Sequence, residues 1–494
     1  MEVDSFIFVL SIVYNNIKNT IMKIEQIYTG CLAQGAYYIE SNGEVAIVDP
    51  LREVAPYIQK AKLDGAKIKY VLETHFHADF VSGHIDLAKK TGATIVYGPT
   101  AAAAFDMHTA KDGEILNLGN IKIKVIHTPG HTMESTCFLL IDENGKETAL
   151  FSGDTLFIGD VGRPDLAQKV KAELTEDILA GHLFDSLRNK IMPLADDIIV
   201  YPAHGAGSAC GKNMSKETTD TLGNQKKTNY ALNPTMTKDE FKAAVLDGLV
   251  APPGYFPLNV LMNIQGYDSI DKVLERGQHA LSPKAFEAAA NETGALILDT
   301  RDAQTFAKGF IPNAINIGID GNFAPWVGAM IPDIKQEILL ITEEGREEEV
   351  ITRLARVGYD FTIGYLKGGF DAWKAAGQEV DTIESISADQ LADLIKKESN
   401  AKILDVRKKS EHFSEHIIGS ENAPLDFIND SMAQIDKSKT YYVHCAGGYR
   451  SMIFVSTLKA RGFDNLVDVK GGFTALKNSG NFKISEYVCP STML

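Results

Sequence analysis

The second half of the chain repeats itself, and this repeat limits the folds open to the chain more than any other feature. Ile297-Leu298-Asp299-Thr300-Arg301 returns 106 residues later as Ile403-Leu404-Asp405-Val406-Arg407. Lys367-Gly368-Gly369-Phe370 returns 103 residues later as Lys470-Gly471-Gly472-Phe473. A period of this length matches a small autonomous domain and is too long for a solenoid repeat. The spacing therefore predicts two domains of one fold, which we place at residues 281–380 and 385–485.

The first half carries four short motifs, each after an apolar, β-branched run that predicts a strand. They are Thr74-His75-Phe76-His77-Ala78-Asp79-Phe80, Thr128-Pro129-Gly130-His131, Gly153-Asp154-Thr155 and Pro202-Ala203-His204-Gly205. If these strands share one sheet, their C-terminal loops meet and bring His75, His131 and Asp154 together as a metal site. Two neutral imidazoles and one carboxylate, with coordination positions left open, suit non-haem Fe(II) better than a closed structural zinc site.

Residues 22–265 alternate predicted strands with turns and helices. A first strand is expected to begin at Met22, and further strands are predicted at 44–48, 69–72, 94–97, 122–126, 137–141, 149–151 and 197–201. Helical periodicity appears at 53–63 and 174–189. Pro- and Gly-rich breaks at 233–235 and 251–254 precede a linker that we place at 266–280. This pattern predicts an α/β layered domain over residues 22–265.

Length, charge and cysteine usage narrow the class of protein. At 494 residues the chain needs two to four domains, and its net charge of −16 argues against a nucleic-acid partner. Five scattered cysteines form a poor disulfide framework and predict a cytoplasmic location. The apolar run at residues 6–13 is too short to span a bilayer and follows acidic residues where a signal peptide carries basic ones. We therefore expect no membrane partner and treat residues 1–21 as an N-terminal extension.

On the four motifs, the first domain resembles the metallo-β-lactamase superfamily, and within it the glyoxalase II and persulfide dioxygenase branch. The resemblance implies an αβ/βα sandwich. The superfamily motif usually carries a histidine after the aspartate that helps to hold a second metal, and here Phe80 stands in that place. A mononuclear centre is therefore favoured over a binuclear zinc hydrolase. In the persulfide dioxygenases the resemblance assigns one Fe(II) per chain to His75, His131 and Asp154, and leaves His77, Asp79 and His204 to orient ligands and bound water.

Two longer segments, residues 153–165 and 201–211, resemble the sulfur-oxidising branch more than the thioester hydrolases. Arg163 could anchor a carboxylate or phosphate of a thiol carrier through its guanidinium fork, or it could simply pair with Asp160 or Asp165. Cys210 is either an ordinary buried residue or a thiol near the substrate. Its glycine and polar neighbours favour the second interpretation, so both Arg163 and Cys210 are candidate substrate-binding residues.

Cys445 follows a predicted strand, and a helix is expected to begin at Ser451. Gly447 and Gly448 lie between them and allow successive N–H groups to form an anion cradle that would stabilise a thiolate and then a persulfide. A structural cysteine would not require these glycines and Arg450 beside it. The second repeat therefore resembles rhodanese, a sulfurtransferase, with Cys445 and Arg450 as catalytic residues and Gly447 and Gly448 as the substrate cradle.

In the first repeat Glu343 occupies the cysteine position, and an acidic segment follows it. A carboxylate cannot serve as the sulfur nucleophile, so residues 281–380 are expected to form an inactive rhodanese-like domain with a scaffold or docking role. This acidic domain could also serve as an interface, and we expect a homo-oligomer. The fold class that follows is α/β: a metallo-β-lactamase sandwich followed by two rhodanese-like α/β domains.

The three-part order resembles a persulfide dioxygenase–rhodanese fusion, which implies a bifunctional sulfide-detoxification enzyme. Fe(II) and O2 would oxidise the persulfide of glutathione, coenzyme A or a related small thiol to sulfite, and Cys445 would transfer sulfur to give thiosulfate. A glyoxalase-II-like zinc thioester hydrolase is one alternative. A non-enzymatic sulfur carrier or persulfide-responsive protein is another.

Overall fold

The computed structural model describes residues 22–166, 174–249, 251–397 and 401–489. The predicted extension at residues 1–21 lies outside them. The chain divides into two units, the first formed by Met1–Lys272 with Leu354–Gly358 and the second by Val273–Arg353 with Tyr359–Leu494. None of the helices in the described residues combines the length and the apolar composition needed to cross a bilayer.

The first unit contains two six-stranded sheets. The first sheet is formed, in spatial order, by β1 (Lys23–Thr29), β2 (Gln34–Ser41), β3 (Glu44–Val48), β4 (Lys67–Leu72), β5 (Thr94–Tyr97) and β6 (His108–Thr109). The second is formed by β7 (Ile115–Leu118), β8 (Ile121–His127), β9 (Thr136–Ile141), β10 (Glu147–Gly153), β11 (Ile199–Pro202) and β12 (Asp220–Thr221), also in spatial order.

The side chains of each sheet alternate between two cores, as the period of a strand requires. In β2, Tyr37 and Ile39 pack with Phe138 and Phe151 of the second sheet, whereas Tyr38 points to the opposite face. The outer face of the first sheet is covered by α1 (Ala55–Leu63), α2 (His84–Thr91) and α6 (Phe256–Gln265). The outer face of the second is covered by α3 (Glu176–Ser186), α4 (Leu222–Thr228) and α5 (Lys238–Leu246). The predicted αβ/βα sandwich is confirmed.

Each strand predicted in this domain overlaps an observed one, and the ranges 44–48 and 94–97 coincide with β3 and β5. Strand β2 was not predicted. It is buried on both faces along most of its length, so it lacks the alternation of apolar and polar residues that marks a half-exposed strand. The predicted helix at 174–189 is split, because α3 ends at Ser186 and a π-helical segment, Leu187–Ile191, continues it.

The second unit contains two five-stranded sheets with the same strand order. The first is formed by β13 (Ala280–Leu281), β17 (Thr362–Leu366), β16 (Ile338–Ile341), β14 (Leu296–Asp299) and β15 (Ile315–Asn316), and the second by β18 (Ser385–Ile386), β22 (Leu466–Val469), β21 (Tyr441–His444), β19 (Lys402–Asp405) and β20 (Glu421–Asn422). All strand pairs in these sheets are parallel. The sequence repeat therefore corresponds to two copies of one topology.

Helices connect these parallel strands. They are α8 (Pro283–Thr293), α9 (Ala303–Ala307), α10 (Phe323–Met330), α11 (Glu347–Arg356) and α12 (Gly369–Ala375) in the first repeat, and α13 (Ala388–Lys397), α14 (Lys409–Ser414), α15 (Ile428–Met432), α16 (Tyr449–Ala460) and α17 (Gly472–Ser479) in the second. A further helix, α7 (Ile270–Gly277), lies inside the predicted linker. The helix after Cys445 begins at Tyr449, two residues earlier than the sequence suggested.

Candidate metal and sulfur-transfer sites

The three predicted metal ligands meet in the first unit. His75, His131 and Asp154 each offer a ligand atom, and these atoms lie within 4.8 Å of one another. Asp154 Oδ2 is 3.8 Å from His75 Nε2 and 3.4 Å from His131 Nε2. All three side chains are buried. The arrangement brings two imidazoles and one carboxylate within reach of a single metal ion, the ligand set of a three-ligand metal site with open positions.

Each ligand is held by one polar atom while another is left for a metal. His131 Nδ1 lies 2.8 Å from the carbonyl oxygen of Arg163, and His75 Nδ1 lies 3.0 Å from Thr74 Oγ1. Asp154 Oδ1 accepts a hydrogen bond of 2.7 Å from His204 Nδ1. Among the described residues, His75 Nε2 and Asp154 Oδ2 have no hydrogen-bond partner although both are buried. Such orphaned atoms facing one another fit a cation between them.

The electrostatics of the triad also favour a cation. Burial lowers the pKa of His75 well below its usual range, so its imidazole is neutral at pH 7. Burial works in the opposite direction on Asp154, but the charge of His204 outweighs it and holds the pKa of that carboxyl below its usual range. A neutral imidazole beside an ionised carboxylate is the combination of protonation states that metal binding needs.

The strands that carry these ligands do not share one sheet, so that part of the sequence interpretation was wrong. His75 follows β4 of the first sheet, whereas His131, Asp154 and His204 follow β8, β10 and β11 of the second. The ligands still meet because the two sheets pack face to face. Gly153 permits this approach: its φ is +53°, and a Cβ there would lie 2.6 Å from Thr74 Cβ.

His204 joins the triad to a second group of side chains. Its Nε2 lies 2.8 Å from Asp79 Oδ2, on the side opposite the bond to Asp154. Burial lowers the pKa of His204, but the two carboxylates overcome it and raise the pKa well above its usual range. A charged imidazolium between Asp79 and Asp154 fixes the direction of the Asp154 carboxylate. The predicted role of His204 and Asp79 in orienting metal ligands stays a prediction.

The His77 ring lies 4.2 Å from the His75 ring, centroid to centroid, and its Nε2 approaches two carboxylates outside the triad. Its Nε2 lies 3.1 Å from Asp49 Oδ1 and 3.5 Å from Glu73 Oε2. Burial opposes the charge, but these two groups raise the pKa of His77 to about 10. The fully buried ring of Phe80 lies 4.3 Å from the His77 ring, centroid to centroid.

Asp49 is the residue that the sequence interpretation missed. Its carboxylate accepts hydrogen bonds of 2.8 Å from both the backbone N–H and the hydroxyl of Thr74, and Thr74 Oγ1 contacts His75. Asp49 thus reaches the metal ligand through one intervening residue. Asp49 could have been predicted from its position directly after β3, which is the same strand-end position that Asp154 occupies after β10.

Arg163 and Cys210 both lie close to the triad residues, where the carbonyl oxygen of Arg163 contacts His131 and the Cys210 thiol lies near Asp79 and His204. The Arg163 guanidinium makes a two-bond fork with Asp165, each bond 2.6 Å long, as the alternative interpretation expects. The Cys210 thiol is buried and groups with Asp79 and His204. Burial and then the charges of Asp79 and Asp154 raise its pKa well above the usual range. Substrate binding by either residue stays a prediction.

The Cys445 loop in the second unit directs one backbone N–H at the cysteine sulfur, and a complete anion cradle stays a prediction. Cys445 follows β21 directly, and the N–H of Gly448 points at its Sγ from 3.1 Å. Gly448 has a φ of +104°, a conformation that favours glycine. Arg450, the next but one residue, pairs with Glu411 through contacts of 2.6 and 2.8 Å. The exposed Gly447 completes the turn before α16 begins.

The two repeats share the contacts that support their fold and differ in the loop that carries Cys445. Arg407 forms a fork with Asp405 and lies 4.1 Å from the Phe473 ring centroid. Arg301 makes the same fork with Asp299 in the first repeat and lies 4.4 Å from the Phe370 ring. A motif present in both copies supports the fold, whereas the Cys445 loop is present in one copy only.

The corresponding loop of the first repeat is occupied by ion pairs. Arg346, aligned with Gly448, contacts Asp320 at 2.7 and 2.8 Å and Glu349 at 2.8 Å. Glu343, aligned with Cys445, is largely exposed and lies 3.8 Å from Arg346. At the aligned position, the first repeat therefore has an ion-paired arginine in place of the glycine of the second repeat.

Comparisons with known proteins agree with this architecture. The model of the metallo-beta-lactamase superfamily matches residues 29–204, and that of the rhodanese-like domain matches residues 282–376 and 387–479. A metallo-beta-lactamase of Staphylococcus aureus subsp. aureus COL, known from a crystal structure, is 34% identical. The match has a TM-score of 0.61 and covers 70% of this chain and 99% of that one.

Two curated relatives match the first domain alone. A probable hydroxyacylglutathione hydrolase of Schizosaccharomyces pombe is 34% identical over 168 residues, which are 33% of this chain and 60% of that protein. The human mitochondrial persulfide dioxygenase ETHE1 is 32% identical over 178 residues, 36% of this chain and 65% of that protein. The chain thus spans about 60% of the length of such relatives. With its stacked sheets and its two later domains of one topology, the chain belongs to the metallo-β-lactamase superfamily and carries two rhodanese-like domains after that fold.

Proposed function

We propose that the chain is a persulfide dioxygenase with rhodanese-type sulfurtransferase activity. The first domain would hold one Fe(II) and oxidise the persulfide of glutathione, coenzyme A or a related small thiol. The observation that carries the proposal is the His75–His131–Asp154 triad with Phe80 where a second-metal histidine would stand. The similarity to a human persulfide dioxygenase supports the same reaction.

The overall oxidation is RSSH + O2 + H2O → RSH + SO3²⁻ + 2H⁺, in which the outer sulfur loses electrons and O2 gains them. Fe(II) would supply the redox chemistry that activates O2, which zinc lacks. The residues of the chain fix the ligands in place. Arg163 holds His131 through its carbonyl oxygen, Thr74 holds His75, and His204 holds Asp154.

The remaining buried groups shape the pocket around the outer sulfur. Because the pKa of Cys210 is raised, its thiol keeps its proton at neutral pH. It can donate a weak hydrogen bond to the substrate but is a poor nucleophile there. The buried Phe80 ring next to His77 offers no ligand atom for a second metal.

Sulfur transfer would take place at Cys445. In the reaction Cys445–S⁻ + S–SO3²⁻ → Cys445–S–S⁻ + SO3²⁻, a new S–S bond forms on Cys445, the S–S bond of thiosulfate breaks, and sulfite leaves. The reverse reaction makes thiosulfate from sulfite. The Gly448 N–H stabilises the anionic sulfur, and the Arg450 guanidinium, which Glu411 holds in place, donates hydrogen bonds to the anionic substrate. Joining both sites in one chain raises the effective concentration of sulfite.

The first repeat would be catalytically inactive, because Glu343 replaces the nucleophile and Arg346 fills the cradle with ion pairs. We further propose a cytoplasmic homo-oligomer without nucleic-acid or membrane partners. Five cysteines present as free thiols are compatible with a reducing compartment. Light scattering of the purified chain tests the oligomeric state.

A zinc thioester hydrolase is the second candidate, since the relatives include hydroxyacylglutathione hydrolases. Metal analysis combined with two assays separates the candidates. We expect about one iron per chain, O2 uptake with glutathione persulfide or coenzyme A persulfide, and no cleavage of a glutathione thioester. Two zinc ions with thioester cleavage would support the hydrolase. A metal-free chain that only stores sulfur on Cys445 would support a carrier.

A further inference from the structure

One side chain of the Cys445 loop contacts the other repeat, which belongs to the same compact unit. We propose that the first repeat, although it lacks a nucleophile, holds the sulfur-transfer loop in its working geometry through Tyr449. Tyr449 is then a positioning residue. This inference rests on the proposed sulfurtransferase activity of Cys445.

The contact is a hydrogen bond between the two repeats. Tyr449, the first residue of α16, donates its hydroxyl to the carbonyl oxygen of Gly318 over 2.7 Å. Gly318 follows β15 of the first repeat by two residues. The preceding residue of the loop, Gly448, supplies the N–H that points at Cys445 Sγ. A shift of Tyr449 would therefore move the donor that stabilises the reactive sulfur.

The first repeat has a shaped space for the Tyr449 ring. A Cβ on Gly321 would lie 2.6 Å from Tyr449 Cε2 and 2.8 Å from Cζ, and a Cβ on Gly318 would lie 3.3 Å from Cε2. Neither glycine has a positive φ, so backbone conformation does not explain either of them. Room for the ring is what requires glycine at position 321.

Other bonds fix the same helix against the first repeat. The backbone N–H of Asn316 in β15 donates to Ser456 Oγ on α16, over 3.0 Å. Asp468 accepts a hydrogen bond of 2.8 Å from Ser451 on α16 and another of 2.8 Å from Gln304 of the first repeat. The start and the middle of α16 are thus both attached, which leaves the loop before it little freedom.

The sequence of the first repeat has no tyrosine at the position that corresponds to Tyr449. Glu347 of the first repeat aligns with Tyr449 at the offset of 102 that also aligns Glu343 with Cys445. The support therefore runs from the inactive repeat to the active one. This gives the first repeat a role that needs no chemistry of its own.

Variants of the full-length chain test the proposal. Tyr449→Phe keeps the ring and removes the hydrogen bond, and Gly321→Ala keeps the hydroxyl and displaces the ring. The matched control is Tyr441→Phe, which removes a buried hydroxyl that accepts a bond from Asp436 within the second repeat. The measurements are kcat and KM for thiosulfate:cyanide sulfur transfer, and the rate of Cys445 alkylation by iodoacetamide, followed on its own peptide by mass spectrometry.

We expect Tyr449→Phe to lower kcat about fivefold, the loss that one ordinary hydrogen bond implies, and to slow alkylation of Cys445. KM for thiosulfate and the unfolding temperature should stay near the parental values. Gly321→Ala should lower kcat further. In a Tyr449→Ala background the same substitution should change kcat little, because the ring that it displaces is then absent.

Parental kcat and alkylation rates in both Tyr449→Phe and Gly321→Ala would overturn the proposal. So would an equal loss in Tyr441→Phe, which would indicate a general packing defect, or a full effect of Gly321→Ala in the Tyr449→Ala background. If the parent protein transfers no sulfur, the proposed function fails instead. The alkylation rates then still decide whether Tyr449 controls the loop.

Discussion

Asp49 offers the sharpest test of how the metal ligands are held. Its carboxylate accepts the Thr74 hydroxyl proton, so Thr74 Oγ1 is left to accept a hydrogen bond from His75 Nδ1. The proton of His75 is thereby fixed on Nδ1, and Nε2 keeps its lone pair for a metal. Asn is a suitable replacement because it has nearly the same shape and tolerates the φ of +49° at this position.

The expected effect of Asp49→Asn follows from this chain of bonds. An Asn amide group facing Thr74 Oγ1 would donate to it, and the hydroxyl proton would turn toward His75 Nδ1. That arrangement favours the tautomer with its proton on Nε2, which cannot bind a metal. Loss of such a supporting group typically weakens metal affinity about 10- to 100-fold. This corresponds to a loss of about 1.4 to 2.8 kcal/mol in the free energy of metal binding.

The assay is competition for Fe(II) against a chelator of known affinity under anaerobic conditions, with circular dichroism to verify folding. Asp142→Asn is the matched control, because Asp142 also accepts two hydrogen bonds, both from backbone N–H groups, but in an exposed hairpin. Thr74→Val should mimic Asp49→Asn, and Thr74→Ser should retain parental affinity. Folded Asp49→Asn and Thr74→Val proteins that bind iron as tightly as the parent would refute this account.

Three further predictions concern the two sites. Asp154→Ala should lose iron and abolish persulfide-dependent O2 uptake, because it removes the carboxylate of the triad; full uptake by this variant would exclude the assignment. Phe80→His should raise zinc content and lower dioxygenase activity by adding an imidazole beside His77. Unchanged metal content and activity would mean that position 80 does not face the site. Cys445→Ser should keep O2 uptake and accumulate sulfite instead of thiosulfate, since a hydroxyl cannot accept sulfane sulfur. As a control, Glu343→Ala should leave the ratio of sulfite to thiosulfate unchanged. If Cys445→Ser still made thiosulfate above the enzyme-free control, sulfur transfer would take place at another residue, and Cys210 would be the first to test.

The sequence alone predicted the features that depend on local pattern. Strand-end motifs predicted that His75, His131 and Asp154 would come together, because a polar residue that follows a strand is marked by the apolar run before it. The repeat of Asp299–Arg301 as Asp405–Arg407 identified two domains of one fold. The Cys445 loop could be predicted from the sequence, because a merely structural cysteine does not require two glycines and an arginine beside it.

Tertiary structure decided what depends on residues far apart in the chain. The pairings of His77 with Asp49 and of His204 with Asp79 reflect which partner each charge meets when it is buried. The division of the ligands between two sheets could not be predicted either, because strand-end motifs do not reveal which strands pair. The contact of Tyr449 with Gly318 joins residues 131 positions apart. It exists only because two copies of one domain pack together, so neither copy's own pattern encodes it.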